Sequence, residues 1–305
     1  MAGDECRRCF GCLVEDLAER VEASPMASVQ TGWEFSALEG STDSPDKVVI
    51  RSVQGGEQSS LDAAALVVAT GFEPYDPTEK ILLGYGRYEG VMTLAELDGV
   101  VRDDNLASLG AEVEGPVKIA LLQCIGSRDA GIGADYCSQY CCRAALRMAL
   151  RVLDEQPEWE VTVFYIDLQL AGKYAGELLS EARSKNVRLV QGVPGEVLAS
   201  DDGMLRFYSE RDGLNVKEEF HHIVLSVGQR APTGASDLAS GIGLDTDEFG
   251  FFSPRNPLDA GRTQVGGVYL AGCCAGPKDI ERTLVHAGQT AAAIIADLNG
   301  SNRVP

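Results

Sequence analysis

Apolar positions recur at helical spacing over residues 13–22 and stop before Ser24-Pro25, where the restriction on the residue preceding proline favours a helix end. Alternating apolar and polar residues over 28–37 and 47–52, separated by the polar stretch 40–45, predict a small antiparallel meander. The unbroken apolar run 63–69 ends at Thr70-Gly71, which reads as a buried strand and a tight turn. A Pro- and Gly-rich linker over 72–90 leads to a short helix predicted over 93–97. The pattern then changes near Pro116. Strands over 117–122, 160–166 and 187–190 alternate with helices over 141–153 and 176–184, an order that implies a parallel sheet. A hairpin-like section over 196–220 precedes another apolar strand at 223–226. The tail adds a strand over 267–271 and a helix over 279–298, with Asn299-Gly300 as its stop. The expected class is α/β, divided at 1–115, 116–228 and 229–305.

The 305 residues allow one large or two medium domains. With 26 Lys and Arg against 46 Asp and Glu, the formal net charge is −20, which argues against nucleic acid or an anionic membrane as partner. No apolar run reaches the roughly 18–20 residues of a membrane span. The first twenty residues lack the basic-then-apolar layout of a signal peptide, so a soluble, cytoplasmic protein is expected.

The nine cysteines are clustered: Cys6, Cys9 and Cys12; Cys124, Cys137, Cys141 and Cys142; Cys273 and Cys274. An odd count in such a chain does not read as a disulfide framework. Cys273 and Cys274 read as small buried hydrophobes. The middle four have the spacing C-x12-C-x3-C-C and occupy a strand-to-helix loop. In a dinucleotide-binding unit that loop would carry G-x-G-x-x-G and hold a pyrophosphate, but Gly126, Gly131 and Gly133 have the wrong spacing. Four gathered thiolates suit a [4Fe–4S] cluster. Zinc and a redox-active vicinal pair at Cys141-Cys142 are the other readings. His221, His222 and His286 read as structural, and Asp201-Asp202 and 245–248 as turns. No Ser-His-Asp or metalloprotease spacing appears.

Two apolar strands end alike, at Val67-Val-Ala-Thr-Gly71 and Val224-Leu-Ser-Val-Gly228, as where the chain leaves and re-enters the flavin domain in two-dinucleotide-domain flavoproteins. Several strings then make a specific resemblance. They are Ala69-Thr-Gly-Phe-Glu-Pro-Tyr-Asp-Pro77, Gly84-Tyr-Gly-Arg-Tyr88, Gln123-Cys-Ile-Gly-Ser-Arg-Asp129, Tyr136-Cys-Ser-Gln-Tyr-Cys-Cys142, Phe164-Tyr-Ile-Asp167 and Ala271-Gly-Cys-Cys-Ala-Gly-Pro-Lys-Asp-Ile280. In this order, from about residue 60 onward, they resemble the A subunits of heterodisulfide reductase and their relatives.

The resemblance implies a thioredoxin-reductase-like, two-dinucleotide-domain flavoprotein fold whose FAD domain is incomplete in this sequence. It implies a [4Fe–4S] cluster on Cys124, Cys137, Cys141 and Cys142. Thr70, Gly71, Arg147, Gly272, Lys278 and Asp279 are the implied flavin contacts, and Asp279 reads independently as a helix N-cap. The implied function is electron transfer between FAD and the cluster, in a complex with other iron–sulfur subunits. The alternative is a scaffold or assembly subunit with a cluster but no flavin. A dithiol–disulfide oxidoreductase working through Cys141-Cys142 is a third reading.

Three features depart from the family pattern. The G-x-G-x-x-G unit expected for the ADP half of FAD is missing, and Gly84-Tyr-Gly-Arg-Tyr-Glu-Gly90 has one residue too many, so FAD is expected to be shared with a partner chain or not bound. The run Cys6, Cys9, Cys12 begins like a ferredoxin site without its C-x3-C-P completion; it is a relic, or three ligands that a partner completes. Arg147 stands where bifurcating members often carry Lys, and arginine keeps the charge without readily donating a proton, which weighs against bifurcation.

Overall fold

The structure, a computed structural model, describes residues 11–41, 44–211 and 213–301. Cys6 and Cys9 lie outside the described residues, as does the side chain of Cys12. The chain forms two compact units, one spanning Pro74–Gly228 and the other Leu13–Glu73 with Gln229–Pro305. Among the described residues, no helix is long and apolar enough to cross a membrane.

The second unit opens with helix α1 (Gly11–Glu22). Strands β1 (Trp33–Ser41), β2 (Ser44–Ser52) and β3 (Gln58–Asp62) follow as the expected antiparallel meander. The first strand begins at Trp33, five residues later than its alternation suggests. Strand β4 (Leu66–Val68) is the core of the run at 63–69. The two-residue β5 (Glu73–Pro74) lies where the chain passes to the other unit.

The Pro74–Gly228 unit is built on a five-stranded parallel sheet. Strand β6 (Val91–Thr93) runs directly into helix α2 (Leu94–Arg102), whose start is fixed by a capping box. The Thr93 hydroxyl accepts from the Glu96 amide, and Glu96 accepts from the Thr93 amide. Strand β7 (Lys118–Ile125), α3 (Cys141–Glu155), β8 (Glu160–Tyr165), α4 (Ala175–Ser184) and β9 (Arg188–Gln191) form successive βαβ turns. Strand β10 (Leu198–Ala199) joins the hairpin β11 (Leu205–Arg211) and β12 (Leu214–Phe220), after which β13 (His222–Val227) inserts between β6 and β7. The sheet order is β6-β13-β7-β8-β9.

Strand β7 is buried on both sides because its residues alternate between two apolar clusters. Ile119 and Leu121 pack with Leu146, Ala149 and Leu150 of α3. Ala120 and Leu122 face Phe164, Phe207 and Phe220, where Phe207 meets Phe164 edge-on at 4.9 Å between centroids. A run apolar at nearly every position, as over 117–122, is what such double burial requires.

The chain then returns to the second unit. Strand β14 (Gln229–Arg230) precedes α5 (Ala235–Ile242), and β15 (Val268–Leu270) pairs in parallel with β4. Helix α6 (Ile280–Ser301) closes the described chain and runs through Asn299-Gly300, so the predicted stop does not operate there. Val68, Ala239, Ile242, Val268 and Leu270 share this unit's core.

Candidate functional site

Cys124 is on β7 itself, not in the loop after it, and the left-handed turn out of the strand begins at its φ of 61°. Gly126 (77°), Arg128 (55°), Gly133 (66°) and Gln139 (66°) follow with positive φ before α3 begins, so the loop winds repeatedly through a conformation that costs a side-chain-bearing residue energy. Gly126 is required sterically, since a Cβ there would stand 2.6 Å from the Cβ of buried Tyr75 and closer still to its ring. The loop is tied by amides: Arg128 donates to the Tyr136 carbonyl at 2.9 Å, and Asp129 to the Ala134 carbonyl at 2.8 Å. Gly228, at the end of β13, lets the chain pass under this loop, because an added Cβ would lie 2.8 Å from Ser138 Oγ and 3.0 Å from the Gly126 carbonyl oxygen.

The loop then leads through Cys137 into α3. Cys141 and Cys142 occupy the first turn of the fifteen-residue α3, where unpaired amides and the helix dipole favour negative charge. Cys141 Sγ lies 3.8 Å from the Val227 carbonyl oxygen, which also accepts from the Tyr140 hydroxyl at 2.6 Å. Cys142 Sγ lies 3.9 Å from the Asp167 carbonyl oxygen, and the Gln139 amide donates to Cys137 Sγ at 3.3 Å. Cys141 and Cys142 are buried, Cys124 and Cys137 half-buried. Burial, then the charge of Cys142, pushes the Cys124 thiol up to about 11, while burial raises Cys141, which also feels the other three cysteines, and Cys142, which also feels Cys137. Raised thiols are the opposite of a reactive dithiol, which weighs against the disulfide-exchange reading. The positive charge of Arg128 pulls the other way and favours the Cys124 thiolate.

Cys124, Arg128 and Gln123 line a cavity of about 500 Å³ at the carboxyl ends of β7 and β8, with Lys80 and Ile166 on its walls. This is the edge where parallel α/β sheets bind ligands. Among the described residues, no three His, Cys, Asp or Glu side chains converge as the ligands of one ion. A positively charged metal group would supply what the buried thiols need to ionise.

The expected flavin contacts fall on both units. Arg147 is half-buried on α3 of the Pro74–Gly228 unit. The others are on the second unit, where the β4–β15 pairing sets Val68 against Leu270 and so brings Thr70-Gly71 beside Gly272 just past the two strand ends. Gly71 (73°) and Gly272 (76°) both have positive φ. Lys278 donates its ammonium to the Ala275 and Gly276 carbonyls, both at 3.0 Å, and burial lowers its pKa. Asp279 is the N-cap it was read as, accepting from the Arg282 amide at 2.9 Å ahead of α6.

Cys274 is fully buried and Cys273 half-buried. His286 is structural: Nδ1 accepts from the Gly272 amide at 3.1 Å and Nε2 faces the Ala260 carbonyl at 2.9 Å. Sequence reasoning gave no role to Arg128, Asp167 or Gln123. Their strings stood out, but side-chain partners 39 and 103 residues away leave no local pattern.

No family model matches the chain. The chain is 34% identical over 255 residues to the A subunit of the H(2):CoB-CoM heterodisulfide,ferredoxin reductase of Methanothermobacter marburgensis, covering 81% of this chain and 39% of that protein. It is 31% identical over 255 residues to the iron-sulfur A subunit of the CoB–CoM heterodisulfide reductase of Methanocaldococcus jannaschii, covering 80% and 39%. The chain thus spans about two-fifths of the length of these relatives. Among solved structures, T. acidophilum thioredoxin reductase superposes with a TM-score of 0.57 at 16% identity, over 94% of this chain and 79% of that one. Bacillus anthracis CoADR-RHD gives 0.52 at 14% identity, over 92% and 45%. The fold is that of thioredoxin-reductase-like proteins, as expected.

Proposed function

Because the chain belongs to the family of heterodisulfide reductase A subunits, we propose that it is an oxidoreductase subunit that transfers electrons between FAD and a [4Fe–4S] cluster, within a complex with other iron–sulfur subunits. The observation that carries this reading is the Cys124–Cys142 loop: four cysteines carried on a strand end, its loop and the following helix start at the ligand-binding edge of the sheet, where a nucleotide's phosphates would otherwise sit. Cys124, Cys137, Cys141 and Cys142 would hold the cluster, which supplies one-electron chemistry to a flavin that exchanges electrons in pairs. Residues of the chain do the rest. The first-turn amides of α3 offset the negative charge of the ligands. Gly126 and Gly228 keep room for the loop. On the second unit, Thr70, Gly71 and Gly272 present side-chain-poor strand ends, and α6 with its Asp279 cap offers a positive dipole end, a fit for part of a flavin.

A second reading is a scaffold subunit with the cluster and no flavin. The test is quantification of iron, sulfide, zinc and flavin in anaerobically purified protein, with its absorption spectrum. About four irons and four sulfides with stoichiometric flavin support electron transfer between the two groups. Iron and sulfide without flavin favour the scaffold. Zinc, or no metal, refutes the cluster and both readings.

A further inference from the structure

The cysteine loop carries a cation into the cavity that Cys124 lines. Arg128 sits in the loop at φ 55°, a strained conformation held by the hydrogen bond from its amide to the Tyr136 carbonyl. The positive charge of its guanidinium favours the ionised forms of Cys124 and Cys142. The same guanidinium forms an ion pair with Asp167, whose other carboxylate oxygen accepts from Gln169 at 2.8 Å and whose carbonyl faces Cys142. Asp167 therefore anchors the cation and also offsets it. The neighbouring Lys80 and Asp129 pair with each other and add no net charge to the same cavity.

We propose that Arg128 raises the reduction potential of the metal group held by Cys124, Cys137, Cys141 and Cys142, and that Asp167 limits that rise. The inference rests on the cluster reading above. Adding one electron to a thiolate-ligated cluster adds one negative charge to it. A cation close to the ligand sulfurs stabilises the reduced state more than the oxidised one, and a nearby carboxylate does the reverse. Arg128 is thus a positioning and tuning residue, not a ligand.

The experiment compares the full chain with Arg128→Gln, Arg128→Lys and Asp167→Asn, all purified anaerobically, with iron and sulfide measured before an EPR-monitored redox titration. Arg128→Gln leaves Asp167 uncompensated and is expected to lower the reduced-to-oxidised ratio at fixed potential about tenfold, a downward midpoint shift of about 59 mV for one electron. Arg128→Lys keeps the charge and should stay near the parent. Asp167→Asn should shift the midpoint upward. A parent protein without a cluster refutes the underlying reading and this inference together. Loaded variants whose midpoints coincide with the parent, or an upward shift in Arg128→Gln, overturn the role of Arg128 while leaving the cluster intact. If Arg128→Gln does not load iron, the Asp167→Asn titration decides: an unmoved midpoint refutes the proposal.

Discussion

Replacing Gly126 by alanine tests whether the cysteine loop is held where it is by steric fit against Tyr75. Two costs add at this position. The residue has φ 77°, where an L side chain costs about 1–2 kcal/mol. The new methyl would also press on Tyr75, whose Cβ is 2.6 Å away and attached to a backbone whose amide bonds the Gly228 carbonyl at 2.9 Å. Tyr75 is 2% exposed, so its ring has no empty space to swing into, and overpacking of this kind costs about 1–3 kcal/mol. Gly126→Ala should therefore destabilise by about 2–5 kcal/mol in total. Gly133→Ala is the control: its φ is 66°, but an added Cβ meets nothing within 4 Å, so only the conformational cost of about 1–2 kcal/mol remains. The chain's two tryptophans, Trp33 and Trp159, lie in different units. In a Trp33→Phe background, urea titration followed by Trp159 fluorescence reports on the unit that holds the loop. Equal midpoints for Gly126→Ala and Gly133→Ala would refute the argument, because the contact with Tyr75 would then contribute nothing.

Two further outcomes are expected in the same background. His221 accepts the Lys118 amide at Nδ1 (2.9 Å), and His222 faces the Leu109 carbonyl at 2.8 Å while its other ring nitrogen is buried without a partner. Burial lowers both folded pKa values, so the unfolded chain binds protons more readily; stability should be full above about pH 6.5 and fall as pH drops below it, and a His221→Gln, His222→Gln variant should flatten the urea midpoint between pH 7.5 and pH 5 relative to the parent. Thr93→Ala removes one half of the α2 capping box and should cost about 1 kcal/mol in the same titration, with no change in iron content.

Strands β7 and β8 were legible because both faces are buried, which leaves runs that are apolar at nearly every position. Strand β6 was not: three residues have too little pattern, and what makes them a strand is pairing with β13, more than a hundred residues away. Helix α5, Ala-Ser-Asp-Leu-Ala-Ser-Gly-Ile, carried no helical signal because its serines and glycine are poor helix formers, and it is held by packing against this unit's core. The site divided the same way. The cysteine spacing was visible as spacing, and the Asp279 cap as a polar residue ahead of a long helix. Cys124 looked like a loop residue because the turn lies in its φ, not in its identity. Arg128 gave no sign of entering the cavity that Cys124 lines, since a left-handed backbone turn decides where its side chain goes.

The pairing of β4 with β15 fixes an order of events during synthesis. Val68 and Leu270 are neighbours across that sheet, yet about 200 residues separate them, which at about 5–20 residues per second is about 10–40 s of translation. Everything from Pro74 to Gly228 leaves the ribosome in that interval and is free to close around its own sheet. Strand β4 meanwhile offers an unpaired edge beside Val67, a template for strays from other nascent chains. The net charge of −20 sets copies of the chain to repel one another, which opposes such pairing.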